Sequence, residues 1–116
     1  MGVFVYMNYF GNKSASANEV GAVEAKSLSE QQGYFLLDVR TKEEFASFRA
    51  ERAINIPLHE IEARLSEIPK DQELLVVCRS GHRSQQAISI LKKHGYEKTH
   101  NVDGGMMSWP KESIIK

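Results

Sequence analysis

Cysteine is nearly missing from this sequence: the only one is Cys78. With no partner in the chain it forms no internal disulfide, so the fold needs no oxidising compartment. An excess of either charge is missing too, since 15 Lys and Arg balance 15 Asp and Glu. No overall field therefore steers the protein to nucleic acid or an anionic membrane. The basic residues form no stripe with interleaved aromatics, which argues against RNA or DNA as a partner. His59, His82, His94 and His100 are scattered rather than set at metal-ligand spacing, so neither a metal nor another cofactor is expected. No apolar run approaches the roughly 20 residues that span a bilayer.

The 116 residues suffice for one compact domain and its core. Residues 1–18 are set apart as an apolar and flexible extension, and the domain proper is expected over 19–116. "GVFVYMNYF" is too short to cross a membrane and reads as an extra strand or a loosely packed appendage; "GNKSASAN" after it reads as a linker. Ala15-Ser16-Ala17 resembles a signal cleavage site. No Lys or Arg precedes the apolar run, however, and Asn12 and Lys13 separate it from that site. A cytoplasmic location is expected, with export through an N-terminal signal as the alternative.

From residue 22 onward helical and strand patterns alternate. A helix is predicted over 22–32, with Val23, Ala25 and Leu28 inward and Gly33 as its stop. "YFLLDV" at 34–39 is a nearly unbroken apolar run, as in a strand covered on both faces. Thr41 and Glu44 form a capping box for a helix reaching about Phe48. A strand at 53–58 closes at Pro57, and Ile61, Leu65 and Ile68 imply a helix over 59–67. "ELLVV" at 73–77 is the most apolar strand. A helix from about Arg83 puts Ala87, Ile88 and Leu91 on one face and ends at "KKHG". A strand over 99–102 and a short last helix before Pro110 follow. Trp109 and Phe45 are expected as core anchors and Met106 and Met107 as packing fillers. The alternation implies an α/β fold with a central five-stranded parallel sheet flanked by helices on both faces. In such a fold chemistry gathers beyond the carboxyl ends of the strands. Asp38 and Cys78 stand at two of those ends.

A lone cysteine after an apolar strand is most often a small buried hydrophobe. Three features of "LLVVCRSGHRSQQ" point elsewhere. Cys78 lies between a strand end and a helix start, where free N–H groups carry partial positive charge. Gly81 lets a tight loop turn several N–H groups inward as an anion nest. Arg79, Arg83 and His82 add positive charge, although His82 is expected to face solvent. Comparable surroundings bring a cysteine from about 8.5 to roughly 3.5–7.5. A thiolate held in this way is a nucleophile suited to covalent catalysis on sulfur or phosphorus.

"LLDVRTKEEF", "NIPL", "CRSGHRS" and "NVDGGMMSW", in this order over residues 20 to 110, resemble a single-domain rhodanese of the thiosulfate sulfurtransferase type. The resemblance implies that Cys78 takes a sulfane sulfur from thiosulfate or a similar donor as a persulfide. It then passes that sulfur to a thiophilic acceptor such as cyanide or a thiol. It also implies a substrate-binding loop of Arg79, Ser80, Gly81, His82 and Arg83, with Asp38, Arg40 and Ser84 in support and Gly104 and Gly105 allowing the last turn. The expected partners are small-molecule sulfur donors and acceptors, or an acceptor protein such as one of thioredoxin type. A sulfur-relay or regulatory module is the alternative. A related phosphatase and arsenate reductase class separates cysteine and arginine by five residues; here four intervene between Cys78 and Arg83, a ring sized for one sulfur. One stretch departs from the family pattern Gly-His-Ile-x-Gly-Ala. Residues 48–53 read Phe-Arg-Ala-Glu-Arg-Ala, which removes two glycines and puts acceptor preference in question.

Overall fold

The computed structural model describes residues 18–116. The apolar run, the candidate cleavage site and the linker up to residue 17 lie outside the described residues. The chain builds β1 (Glu19–Gly21), α1 (Ala22–Ser29), β2 (Tyr34–Asp38), α2 (Lys42–Ser47), β3 (Arg49–Ala50), β4 (Ile54–Asn55), β5 (Glu73–Val77), α3 (His82–Lys93), β6 (Thr99–Asp103) and β7 (Ile114–Ile115). The main sheet is five-stranded and ordered β1-β6-β5-β2-β4, and each of its pairings is parallel. This is the α/β architecture that the alternating pattern implies, with β1 as its fifth strand. No helix among the described residues is long and apolar enough to cross a membrane.

Side-chain alternation along the strands divides the core into two layers. Leu37, Val39, Leu74, Val76 and Cys78 face α3, where Ala87, Leu91, Ile61 and Tyr96 close the layer. Leu36, Leu75 and Val77 face the other way, against Ala22 and Ala25 of α1, Met106 and Trp109. Cys78 thus continues the inward face of β5 as the strand turns into its loop.

Several local expectations change. The first helix stops at Ser29 rather than 32, because the N–H groups of Glu30 and Gln31 fold back to the carbonyls of Ser27 and Leu28 in a tighter turn. Val23 is 70 % exposed, since the buried face of α1 runs through Ala22, Ala25 and Ser29. The expected strand 53–58 shortens to Ile54–Asn55, an edge pairing with β2 that ends before Pro57. The expected helix at 59–67 is two 3₁₀ stretches, Leu58–Glu60 and Glu62–Glu67. Arg64 leaves helical geometry there while its guanidinium bonds Glu60 and Glu67. The last helix is a 3₁₀ turn over Gly105–Ser108. Trp109 and Met106 are buried as expected, whereas Met107 is 63 % exposed and Phe45 is half-buried beneath Arg49.

The glycine-poor stretch 48–53 forms half of a small antiparallel ribbon, β3 with β7, that the sequence did not announce. Phe48, at the first missing glycine, is extended, so no backbone freedom is needed there. Arg52, at the second, has φ 75 and is the one non-glycine residue with positive φ among those described.

Candidate active site at the Cys78 loop

β5 delivers Cys78 to the carboxyl edge of the sheet, and α3 begins four residues later at His82. Gly81, with φ 116, makes that reversal possible. Its N–H donates to Cys78 Sγ at 3.0 Å. From behind, the carbonyls of Cys78 and Arg79 accept the N–H groups of Met106 and Met107 at 2.8 and 3.0 Å. Those donors come from the turn at Gly104 and Gly105, which have φ 78 and 58. A side chain on Gly105 would put its first carbon 2.6 Å from the Arg79 carbonyl oxygen and against that of Cys78. The two glycines therefore bring a second loop close enough to hold the first.

Ser84, on the first turn of α3, completes the surroundings of the sulfur. Its Oγ lies 3.4 Å from Cys78 Sγ and 3.0 Å from the Gly81 carbonyl oxygen, and it bonds Asn101 Oδ1. Asn101 is turned this way by Glu19, whose carboxylate accepts its Nδ2 at 3.1 Å. A hydroxyl has one proton, so these acceptors compete, and ionisation of the sulfur draws the proton toward it. Burial pushes the Cys78 thiol up, but the Ser84 hydroxyl and the backbone N–H groups of Ser84, Gly81 and Ser80 outweigh it and bring the group below its ordinary value. Hydrogen bonds lead this shift, where the sequence offered arginine charge as an equal cause. The residue is only 1 % exposed, yet the loop N–H of Gly81 turns toward its sulfur.

The two loop arginines differ. Arg79 is exposed and makes no ion pair among the described residues. Arg83 is held by Glu44 of α2, Nη1 to Oε1 at 2.7 Å and Nη2 to Oε2 at 3.0 Å. Ser80 and His82 are exposed. Asp38 and Arg40 form a fully buried ion pair at 2.8 Å. Arg40 also donates to the carbonyls of Phe48 at 2.7 Å and Glu44 at 3.4 Å. Asp38 stands opposite Val77 in the sheet, on the α1 side, while Cys78 faces α3. The structure therefore does not bring Asp38 and Cys78 together, despite their neighbouring strand ends. A cleft of about 310 Å³ opens beside the loop, lined by Arg40, Glu43, Glu44, Ser47, Phe48 and Arg79.

Sequence reasoning missed two participants. Glu44 was visible only as half of a capping box, which it does form with Thr41. Asn101 lay unmarked in the strand before "DGG", where an amide among apolar neighbours was its only signal.

Comparison with known proteins agrees with this fold. The family model for the rhodanese-like domain matches residues 21–112. A sulfurtransferase of Allochromatium vinosum is 36% identical over 99 residues, covering 82% of this chain and 92% of that protein. The thiosulfate sulfurtransferase GlpE of Pseudomonas syringae is 34% identical over 95 residues, 78% of this chain and 89% of its own length. Among solved structures, a rhodanese-like domain protein from Staphylococcus aureus superposes with a TM-score of 0.76 at 32% identity, covering 84% of this chain and 95% of that one.

Proposed function

The chain belongs to the rhodanese-like domain family, and from that premise we propose that it moves a sulfane sulfur from thiosulfate or a similar donor to cyanide or a thiol through a persulfide on Cys78. The observation that carries the proposal is the Gly81 N–H aimed at a sulfur held below its ordinary pKa. A thiolate in that position needs no general base. It attacks the outer sulfur of thiosulfate; the new S–S bond forms on Cys78 as the donor's S–S bond breaks, and sulfite leaves with the electron pair. The persulfide anion has a diffuse charge, and inward N–H groups suit it better than a single proton donor. Cyanide or a thiolate then attacks the outer sulfur, and the Cys78 thiolate is released for the next cycle. Arg79, exposed at the rim, is the cation there that can bond an oxygen of the donor once it has entered. The name of the Pseudomonas syringae relative supports thiosulfate as donor. Arg83, at the head of α3, is already bonded to Glu44 and is not free for the equatorial oxygens of a phosphoryl group, which counts against phosphatase chemistry.

Incubation with thiosulfate should leave Cys78 one sulfur atom heavier by intact mass, and cyanide should reverse the gain. Cys78→Ser should abolish both, and retained turnover would refute the assignment. The same charged protein separates enzyme from relay. Saturable transfer to an acceptor protein at low concentration, in preference to cyanide or glutathione, would identify the protein as a sulfur relay. We place it in the cytoplasm, whose reducing conditions keep the single thiol free; fractionation of native cells checks this.

A further inference from the structure

Glu44 is the acidic side chain that grips the cysteine loop. Both of its carboxylate oxygens accept from Arg83, and Oε1 also accepts from the Thr41 N–H at 2.9 Å and the Thr41 hydroxyl at 3.2 Å. The guanidinium thus already holds an oxyanion in the forked geometry that the oxygens of an incoming donor would use. Glu43 lines the same cleft as Arg79 and makes no ion pair among the described residues. Arg40 is cancelled by Asp38, and His82 faces solvent at the head of α3. What remains at the mouth is Arg79 against Glu43. Ionisation of Cys78 then makes the mouth net negative, and a site of that sign resists each further negative charge brought to it.

We infer that Glu44 is a specificity-determining residue of the sulfur site: by occupying Arg83 it selects donors bringing one negative charge or none over dianionic thiosulfate. The inference rests on reading Cys78 as the sulfur carrier. The bond changes are the same for every donor. The Cys78 thiolate attacks the sulfane sulfur, its bond to the rest of the donor breaks, and the electron pair leaves on sulfite, on a sulfinate or on a thiolate. Only the charge carried into the mouth differs.

Glu44→Gln removes that charge while a glutamine oxygen can still accept from Thr41 and keep the helix cap. The probes are thiosulfate and methanethiosulfonate, a monoanion that presents the same sulfane sulfur. Loss of the carboxylate should raise kcat/KM for thiosulfate about tenfold and for methanethiosulfonate about threefold. An equal change for both donors, or a loss for both, overturns the inference. On the unaltered protein, added sodium chloride should raise the thiosulfate-to-methanethiosulfonate ratio, because screening relieves repulsion; a fall in the ratio would mean that the mouth attracts dianions, and would also overturn it. A third measurement needs no sulfur transfer. The rate of Cys78 alkylation by anionic iodoacetate, divided by that with neutral iodoacetamide, cancels any change in thiol ionisation. That quotient should rise about threefold or more in Glu44→Gln, and no rise overturns the inference. If neither thiosulfate nor methanethiosulfonate reacts with either protein, the sulfurtransferase reading falls, and the alkylation quotient still decides the role of Glu44.

Discussion

Replacing Ser84 by alanine tests whether hydrogen bonding makes Cys78 reactive. Ser84 is fully buried, with its hydroxyl 3.4 Å from the sulfur. A hydrogen bond to an ionised acceptor contributes about 1.5–3 kcal/mol. Since about 1.4 kcal/mol is a factor of ten, its loss lowers the thiolate fraction roughly 10- to 150-fold at any pH below the titration midpoint. The thiolate that remains is more basic and so more nucleophilic, by about 3- to 10-fold on the usual Brønsted slope. Iodoacetamide alkylation should therefore slow by about 3- to 15-fold on the acid side of the profile and quicken on its alkaline plateau. The midpoint moves up. The substitution also strips a partner from the Gly81 carbonyl and from Asn101 Oδ1, at a stability cost of about 1–3 kcal/mol that urea unfolding would read separately. Lost stability alone cannot shift the pH profile of the folded protein. Superimposable alkylation profiles for the two proteins would refute the hydrogen-bond account.

Three further outcomes are expected. Gly105→Ala combines a left-handed backbone with a carbon 2.6 Å from the Arg79 carbonyl, so urea unfolding should show a loss of about 2–4 kcal/mol and Cys78 should alkylate more slowly. Arg52→Gly relieves a left-handed strain of about 1–2 kcal/mol against a glycine entropy cost of about 0.5–1, so the melting temperature should rise by a few degrees; a fall would show that the arginine side chain holds the turn. The Arg83 guanidinium beside Glu44 holds its carboxyl down to about 2 from an ordinary 4.5, so the pair's contribution is whole above 4.5 and is lost as pH falls toward 2. Solvent screening of this half-buried pair limits that contribution to about 1 kcal/mol. The stability gap between the unaltered protein and Glu44→Gln should accordingly narrow over that window, as urea unfolding from pH 5 downward would show.

Much of the fold was legible because burial and period coincide. β5 is five residues long, four of them fully covered, and no other reading suits "ELLVV". α3 carries its own punctuation, with Gly81 before it and Lys92, Lys93 and Gly95 at its end. Edges were less legible. β4 keeps only two residues because it has one neighbour, and β3 with β7 exist only where two distant segments meet. The 59–67 region has helical spacing at Ile61 and Ile68, but Arg64 is bonded at both ends and interrupts the coil. At the site, the cysteine and its glycine were readable from local chemistry. The partner of Arg83 was not, because Glu44 lies 39 residues away and reaches it only through the tertiary fold.

Strand parity explains how the two faces of the sheet share the work. Asp38 and Cys78 fall on opposite faces, so the buried Asp38–Arg40 pair cannot act on the sulfur directly. Arg40 instead reaches outward to the carbonyls of Phe48 and Glu44, and its guanidinium lies 4.9 Å from the centre of the Phe48 ring. Removing one member of such a buried pair strands the other charge, so the pair is fixed in place. What it fixes is α2, and α2 presents Glu44 to Arg83 on the far side of the sheet edge. A residue standing where the family commonly has glycine, Phe48, is thereby held as a wall of the cleft. The departure from the family pattern thus lines the cleft beside the Cys78 loop, while the hydrogen bonds that hold the sulfur come from Gly81 and Ser84 and do not pass through it.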